Sequence, residues 1–354
     1  MPGPILALTQ GDPAGIGPEI LLRSVAARTA AGMATAATAA TSEVPTHSTL
    51  LIAERAALEA VAALVPEFPW DRLVEVQSPD RATLARLAGQ IALLDPVGSR
   101  RRIELGRSRA ADAHGAMAAL DAAITLARAG IVDAIVTAPV AKESIATHLL
   151  PGFVGHTDYL AAACGLERYG RDYLMAFLAP GMQVALLTVH MPLRQALDRI
   201  GRESVLEALA CLERHAGGRI ALAGINPHAG ESGLLGSEET EVLVPTVAEA
   251  RQRGIDVRGP ESADSLFARL AREEFDWVLA LYHDQGLIAV KSASFGLATN
   301  WTLGLPFVRT SVDHGTAFAI AGTGRADAAP MTAVFATTLK LLSGELPRRQ
   351  HSEG

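Results

Sequence analysis

The sequence predicts an α/β protein built on a largely parallel sheet. Apolar runs of strand length recur along the chain, and longer Ala- and Leu-rich stretches with a helical period lie between them. Several of the apolar runs also stop abruptly at glycine, proline or a charged residue. In open α/β sheets that is where ligands sit, outside the strand ends. The chain has 354 residues, 49% of them hydrophobic, which is enough for two domains. Aromatics make up only 5%, so the core must come from Ala, Leu, Ile and Val.

Taken in order, residues 5–9 form the first buried strand. It runs through Gln10-Gly11-Asp12-Pro13-Ala14-Gly15-Ile16-Gly17-Pro18-Glu19 into a helical pattern from Ile20. Strand, Gly-rich turn and helix in that order make an anion-friendly helix N-terminus. The glycines match neither G-x-G-x-x-G nor the phosphate-loop spacing, and a tight βα turn is the plainer reading. Residues 30–48, rich in Ala, Thr and Ser, are expected as a surface insertion or mobile loop. A strand resumes at 50–53, with a helix near 54–64. Residues 68–109 carry few regular signals, and Arg100-Arg101-Arg102 is expected as a solvated face. A strong helical period covers 110–129, and the strand at 132–137 ends in Ala138-Pro139-Val140-Ala141-Lys142.

Beyond Gly155 the alternation tightens. Residues 173–178 and 183–189 are expected as paired strands, 193–200 and 203–215 as helices, 220–225 as a strand and 238–251 as a helix. Strands follow at 278–281 and 287–290, and a closing helix at 331–342. There is no fixed-period repeat. A hinge near 138–155 divides a first lobe, 1–140 plus 318–354, from a second, 141–317.

The net charge of −7 leaves no basic footprint for nucleic acid, and no apolar run approaches the ~18 residues of a membrane span. Two cysteines cannot build a disulfide framework, and the N-terminus has no signal-peptide pattern. A cytoplasmic protein is expected.

Three histidines share one setting. The runs Val184–Val189, Ile220–Ile225 and Leu279–Tyr282 lead to His190, His228 and His283. If their strands lie in one sheet, the imidazoles emerge on one rim, and three neutral imidazoles make a divalent-metal shell with open positions. Taken singly, each histidine is more simply a structural residue. Asp284 and Glu231 are placed to orient ring nitrogens, unless they only bond loop N–H groups. His156, Thr157 and Asp158 precede a helical stretch and read either as a cap or as an anion site. Lys291 and Arg309 follow apolar runs, and two cations at strand ends would suit a phosphate or carboxylate.

These motifs, in order, resemble the 4-hydroxythreonine-4-phosphate dehydrogenases of pyridoxal phosphate biosynthesis. The resemblance rests on Gly11 to Glu19, Gly155-His156-Thr157, His190 to Arg194, Asn226 to Glu231, Gly259-Pro260, Ala263-Asp264, Tyr282 to Gly286 and Leu303 to Thr316. It implies two α/β/α lobes around a cleft, as in isocitrate and isopropylmalate dehydrogenases, and a homodimer with active sites at the subunit interface. It also implies His190, His228 and His283 as ligands of one divalent ion (Zn, Mg, Co or Mn), one of them given by the partner subunit. Substrate contacts are implied at His156, Thr157, Lys291, Asn300 and Arg309. NAD or NADP is the implied cofactor, with Gly11, Asp12, Asn226, Ser311, Asp313 and His314 as candidate contacts. Two departures stand out: Ala141 replaces the polar residue common before the lysine of the Pro-Val-x-Lys motif, and the 30–48 segment has no obvious counterpart.

The expected chemistry is oxidation of 4-phosphohydroxy-L-threonine at C3 followed by loss of CO₂. Asp264, Asp284 and Lys291 are the candidate catalytic residues. Oxidation of 4-phospho-threonate or -erythronate remains an alternative, as does metal-dependent hydrolysis.

Overall fold

Strand β1 (Ile5–Thr9) is buried along its whole length, as a parallel strand flanked by two others must be. The computed structural model of the chain describes residues 3–38 and 47–347, and the side chains of 31–38 fall outside the description. Helix α1 (Gly17–Thr38) follows β1. The segment expected as a loop from residue 30 therefore continues the helix to Thr38, because alanine is the strongest helix former. Residues 39–46 lie outside the described residues, and β2 (Ser48–Ile52) begins shortly after.

Helix α2 (Arg55–Val61), β3 (Leu73–Glu75), α3 (Arg81–Arg86) and β4 (Ile91–Leu94) come next, so the stretch expected to lack regular structure holds short elements. Arg101 is not on a solvated face. It donates to both oxygens of the buried Glu54, at 2.6 and 2.7 Å, and to Asp112 at 2.7 Å. Helix α4 (Ala110–Arg128), β5 (Ala134–Thr137), α5 (Lys142–His148) and α6 (His156–Ala163) follow.

The hairpin β6 (Leu174–Ala179) and β7 (Met182–Leu186) is antiparallel, as expected for paired strands. Then come α7 (Leu193–Arg199), α8 (Arg202–His215), β8 (Ile220–Ala223), a π-helical turn at Glu239–Leu243, α9 (Val244–Gln252), β9 (Val257–Glu261), α10 (Ala263–Ala271) and β10 (Trp277–Ala280). Helix α11 (His283–Ser294) overturns the expected strand at 287–290 and moves Lys291 from a strand end to a helix end. Strands β11 (Thr299–Leu303) and β12 (Val308–Ser311) and helix α12 (Ala329–Ser343) complete the order.

The chain forms two compact units, Met1–Cys164 with Pro306–Leu342, and Gly165–Leu305 with Ser343–Gly354. Residues 141–164 and 306–317, assigned from the sequence to the second lobe, pack with the first unit. In unit 1 the strand order is β3-β4-β2-β1-β5-β12, all parallel. In unit 2 it is β11-β6-β7-β10-β8-β9, antiparallel at β11, β6 and β7 and parallel from β7 onward. Each unit has its own aliphatic core, around Leu6, Ile20, Leu51 and Val334 in the first and Val184, Leu266, Val278 and Leu287 in the second.

At the sheet edge of unit 1 the β1 exit crosses the β5 exit closely. Gly11 has φ +69°, and a Cβ there would stand 2.2 Å from the Pro139 carbonyl oxygen, so only glycine fits. No helix among the described residues is long and apolar enough to cross a membrane.

Candidate active site

Unit 2 carries the histidines. Strands β7, β10 and β8 are adjacent and parallel, so the segments leaving them start from one edge of the sheet. His190 follows β7, His283 opens α11 just after β10, and His228 follows β8. The His190 and His283 rings have centroids 5.6 Å apart. His283 Nδ1 lies 2.7 Å from Asp284 Oδ1. With Nδ1 as the donor, the carboxylate sets the tautomer that leaves the Nε2 lone pair for a ligand.

His228 stands in a turn of another kind. From His228 to Ser232 five successive residues have positive φ, and four of them are not glycine. Left-handed backbone costs roughly 1–2 kcal/mol for each such residue, so the turn persists only because its surroundings hold it. Glu239, itself buried, is the holder. Its Oε1 accepts the N–H groups of Ile225 and Asn226, both at 2.7 Å, and its Oε2 accepts the Asn226 amide at 2.8 Å. Glu231 approaches His228 Nδ1 at 3.7 Å. A bond from the Ser262 hydroxyl, with a smaller contribution from His228, holds the Asp264 carboxyl below its usual range.

Imidazoles flanked by carboxylates are donors that suit a divalent cation. Among the described residues, however, no three His, Cys, Asp or Glu side chains gather closely enough to hold one. The donor chemistry fits, while the count among the described residues stops short of three.

Unit 1 carries the groups for an anion. His156 and Thr157 are the first residues of α6. Arg309, expected at a strand end, lies inside β12 opposite Ile135 and is only 2% exposed. Its Nη2 donates to Thr137 Oγ1 at 2.7 Å and its Nη1 to Thr157 Oγ1 at 3.5 Å. Burial pushes the guanidinium down to about 9, so it stays charged at neutral pH. Burial first, and then the charges of Arg309 and Lys142, hold His156 well below its ordinary value, so the ring is neutral. His156 Nε2 is buried without a partner. Lys142 runs over Gly155, where a Cβ would stand 3.2 Å from its Nζ. A helix N-terminus, an imidazole, a hydroxyl and two cations are the groups that bind a phosphate monoester.

The remaining candidates are spread over both units. Lys291 is exposed in the last turn of α11, and Asn300 lies in β11 opposite Phe177 with its Oδ1 buried and unpartnered. Asn226, in unit 2, gives its amide to Glu238 and Glu239. Gly11, Asp12, Ser311, Asp313 and His314 stand at the β1 and β12 ends of unit 1. There Asp12 Oδ2 and His314 Nε2 are buried without a partner, and burial raises the Asp12 carboxyl despite its bonds from Ser108 and Ala14.

Two members of the anion group were missed in the sequence. Lys142 stood out only as a polar residue past a strand and as the lysine of the Pro-Val-x-Lys motif, with no anion role given to it, and Thr137 not at all. The pairing of β5 with β12 brings Thr137 to Arg309, and no local pattern announces that pairing.

Comparison with known proteins gives the class first: curated relatives about 40% identical over more than nine-tenths of this chain are dehydrogenases. Residues 45–338 match the family described as pyridoxal phosphate biosynthetic protein PdxA, and the chain belongs to that family. It is 39% identical over 349 residues to the 4-hydroxythreonine-4-phosphate dehydrogenase of Burkholderia vietnamiensis, covering 95% of this chain and 96% of the relative. It is also 39% identical to the D-threonate 4-phosphate dehydrogenase of Pectobacterium atrosepticum, covering 91% and 94%. The crystal structure of 4-hydroxythreonine-4-phosphate dehydrogenase from Klebsiella pneumoniae matches with a TM-score of 0.79 at 33% identity, over 96% of this chain and 99% of that one.

Proposed function

We propose that the protein oxidises 4-phosphohydroxy-L-threonine at C3 with NAD or NADP. The product, 2-amino-3-oxo-4-(phosphooxy)butanoate, loses CO₂ to give 3-amino-1-hydroxyacetone phosphate, a step of pyridoxal phosphate biosynthesis in the cytoplasm. The observation that carries this reading is the buried Arg309 with His156 and Thr157 at the start of α6, on a chain of this family.

In this reading Arg309, Lys142, Thr157 and His156 hold the phosphate, the neutral imidazole donating one N–H to a phosphate oxygen. Lys291 and Asn300 serve the carboxylate and hydroxyl end. His190, His228 and His283 are the ligands for one divalent ion, and Asp284 orients His283. The site lies at a homodimer interface, where a second copy supplies one of the three ligands; among the described residues no three such side chains gather within one chain. Bound there, a divalent cation would supply Lewis acidity toward the C3 hydroxyl, and a nicotinamide cofactor would supply the hydride acceptor. Asp264 and Asp284 are the candidates to accept the hydroxyl proton, the first bonded by the Ser262 hydroxyl and the second by His283. Gly11, Asp12, Ser311, Asp313 and His314 are the proposed cofactor contacts. Asn226 serves the His228 turn instead.

The relative that acts on D-threonate 4-phosphate supports a second reading, in which the same anion groups serve a phosphorylated sugar acid. Turnover of both substrates with each cofactor, before and after chelator, decides between them. The favoured outcome is chelator-sensitive reduction of NAD or NADP with 4-phosphohydroxy-L-threonine as the better substrate. Phosphate release without cofactor reduction would point to hydrolysis.

A further inference from the structure

The three histidine-bearing strand ends are tied to one another by side chains that have no ligand role. The β8–β10 ladder pairs Leu222 with Leu279. Two residues further along each strand, where the main chains part, the amide of Gln285 enters between them. Its Oε1 accepts the Leu281 N–H at 2.7 Å, and its Nε2 donates to the Gly224 carbonyl at 2.7 Å. A side-chain amide thus stands in for a rung of the parallel ladder and carries the strand spacing past the point where pairing stops.

The opposite edge of β10 is tied in the same way. Leu187 N–H donates to the Ala280 carbonyl at 2.8 Å, and the buried Thr188 hydroxyl donates to the Leu281 carbonyl at 2.8 Å. Both polar atoms of Leu281 are therefore held by side chains, one from the His190 segment and one from the His283 segment. Gly224, the anchor on the third strand, begins the turn to His228. A Cβ on Gly224 would meet Ala229 Cα and the Glu261 carbonyl at 3.1 Å, so that turn is also packed from beneath.

We infer that Thr188 and Gln285 are positioning residues: they hold in place the strand ends that carry His190, His228 and His283, and so fix what each chain contributes to a divalent-cation site shared with a second copy. The inference rests on reading those histidines as ligands of that cation. Neither side chain is itself a donor to the ion, and each acts through the backbone that carries an imidazole. Residue types follow from the geometry. Position 285 must accept on one side and donate on the other, which an amide does and a carboxylate does not. Position 188 must donate from a short, buried side chain.

The test uses the full-length protein and titrates Co²⁺ by its visible absorption, with thermal unfolding measured alongside. Thr188→Val and Gln285→Met should weaken Co²⁺ binding about tenfold or more and change the band shape, as partners behind metal ligands do. Gln183→Met is the control: it removes another amide-to-carbonyl bond in the same unit, to Asp276 at 2.6 Å, remote from the histidines. That variant should lower the melting temperature and leave Co²⁺ binding intact. The inference is overturned if Thr188→Val and Gln285→Met bind like wild type, or if Gln183→Met weakens binding as much as they do. Should Gln285→Met fail to fold, Gly224→Ala presses on the same turn and is expected to weaken binding similarly, and wild-type affinity there also counts against the inference. His190→Ala tests the ligand reading separately, because undiminished Co²⁺ binding in that variant removes the premise and not merely the frame.

Discussion

Arg309 carries a full charge in the interior of unit 1, among hydroxyls that compensate a guanidinium less well than an anion would. Burying a guanidinium costs on the order of several kcal/mol of desolvation, which neutral hydroxyls repay only in part. Arg309→Met should therefore keep or raise the melting temperature. It should also raise KM for the phosphorylated substrate at least ~30-fold, the lower end of what losing a buried charged bond costs. A fall in melting temperature with KM unchanged would make Arg309 structural. His156 gives a pH prediction with a definite sign. Its folded pKa lies well below 6.5, so below about pH 6.5 the unfolded chain binds a proton that the folded chain does not. Stability should fall as pH drops through that window. His156→Gln should flatten the slope of melting temperature against pH between about 7.5 and 5, and an unchanged slope would assign the loss to other groups.

At the scale of elements, the run Leu287–Val290 shows why short apolar stretches mislead. Four apolar residues fit a buried strand as well as a helix, and no period separates the two. In the fold Gly286, Leu287, Val290 and Ser294 are the buried positions, which is one face of a helix. The error carried Lys291 with it. Elements with a long period or a full apolar run, such as β1, α4, the β6–β7 hairpin and α12, were legible. Strands β9, β11 and β12 were not, since Arg258, Asn300 and Arg309 interrupt their apolar pattern. Two of those three are candidate substrate contacts, so function itself hid the strands. Gly286 tests how tightly α11 sits. A Cβ there would stand 2.7 Å from Leu186 Cδ2 and 3.0 Å from Val184 Cγ1. Alanine gains about 1 kcal/mol of helix propensity over glycine, whereas overpacking costs about 1–3 kcal/mol. Overpacking should win because the neighbours are core side chains of β7. Urea unfolding of Gly286→Ala should show a net loss, and a gain would mean that α11 shifts freely.

At the scale of the molecule, the candidate groups divide between the two units: the phosphate groups fall in the first, and the histidines in the second. The common edge of the histidine segments was legible in the sequence because each follows an apolar strand, and the order β7-β10-β8 puts those strands side by side. What ties them was not legible, since Thr188 and Gln285 bond backbone atoms of distant segments and leave no local pattern. The division makes a prediction about where each ligand acts. A ligand at 100 times its dissociation constant stabilises the state it binds by about 2.7 kcal/mol. Inorganic phosphate should slow amide exchange around Thr137, His156 to Leu160 and Val308 to Ser311. A divalent cation should slow it around Leu187 to His190, Gly224 to Ser232 and Leu281 to Gln285. Hydrogen exchange at short times, with each ligand alone, measures this directly. Arg309→Met should then erase only the first pattern and His190→Ala only the second. If either variant erased both patterns, the anion and cation groups would be one cooperative site, and the residues assigned here to separate tasks would have to be treated as a single constellation.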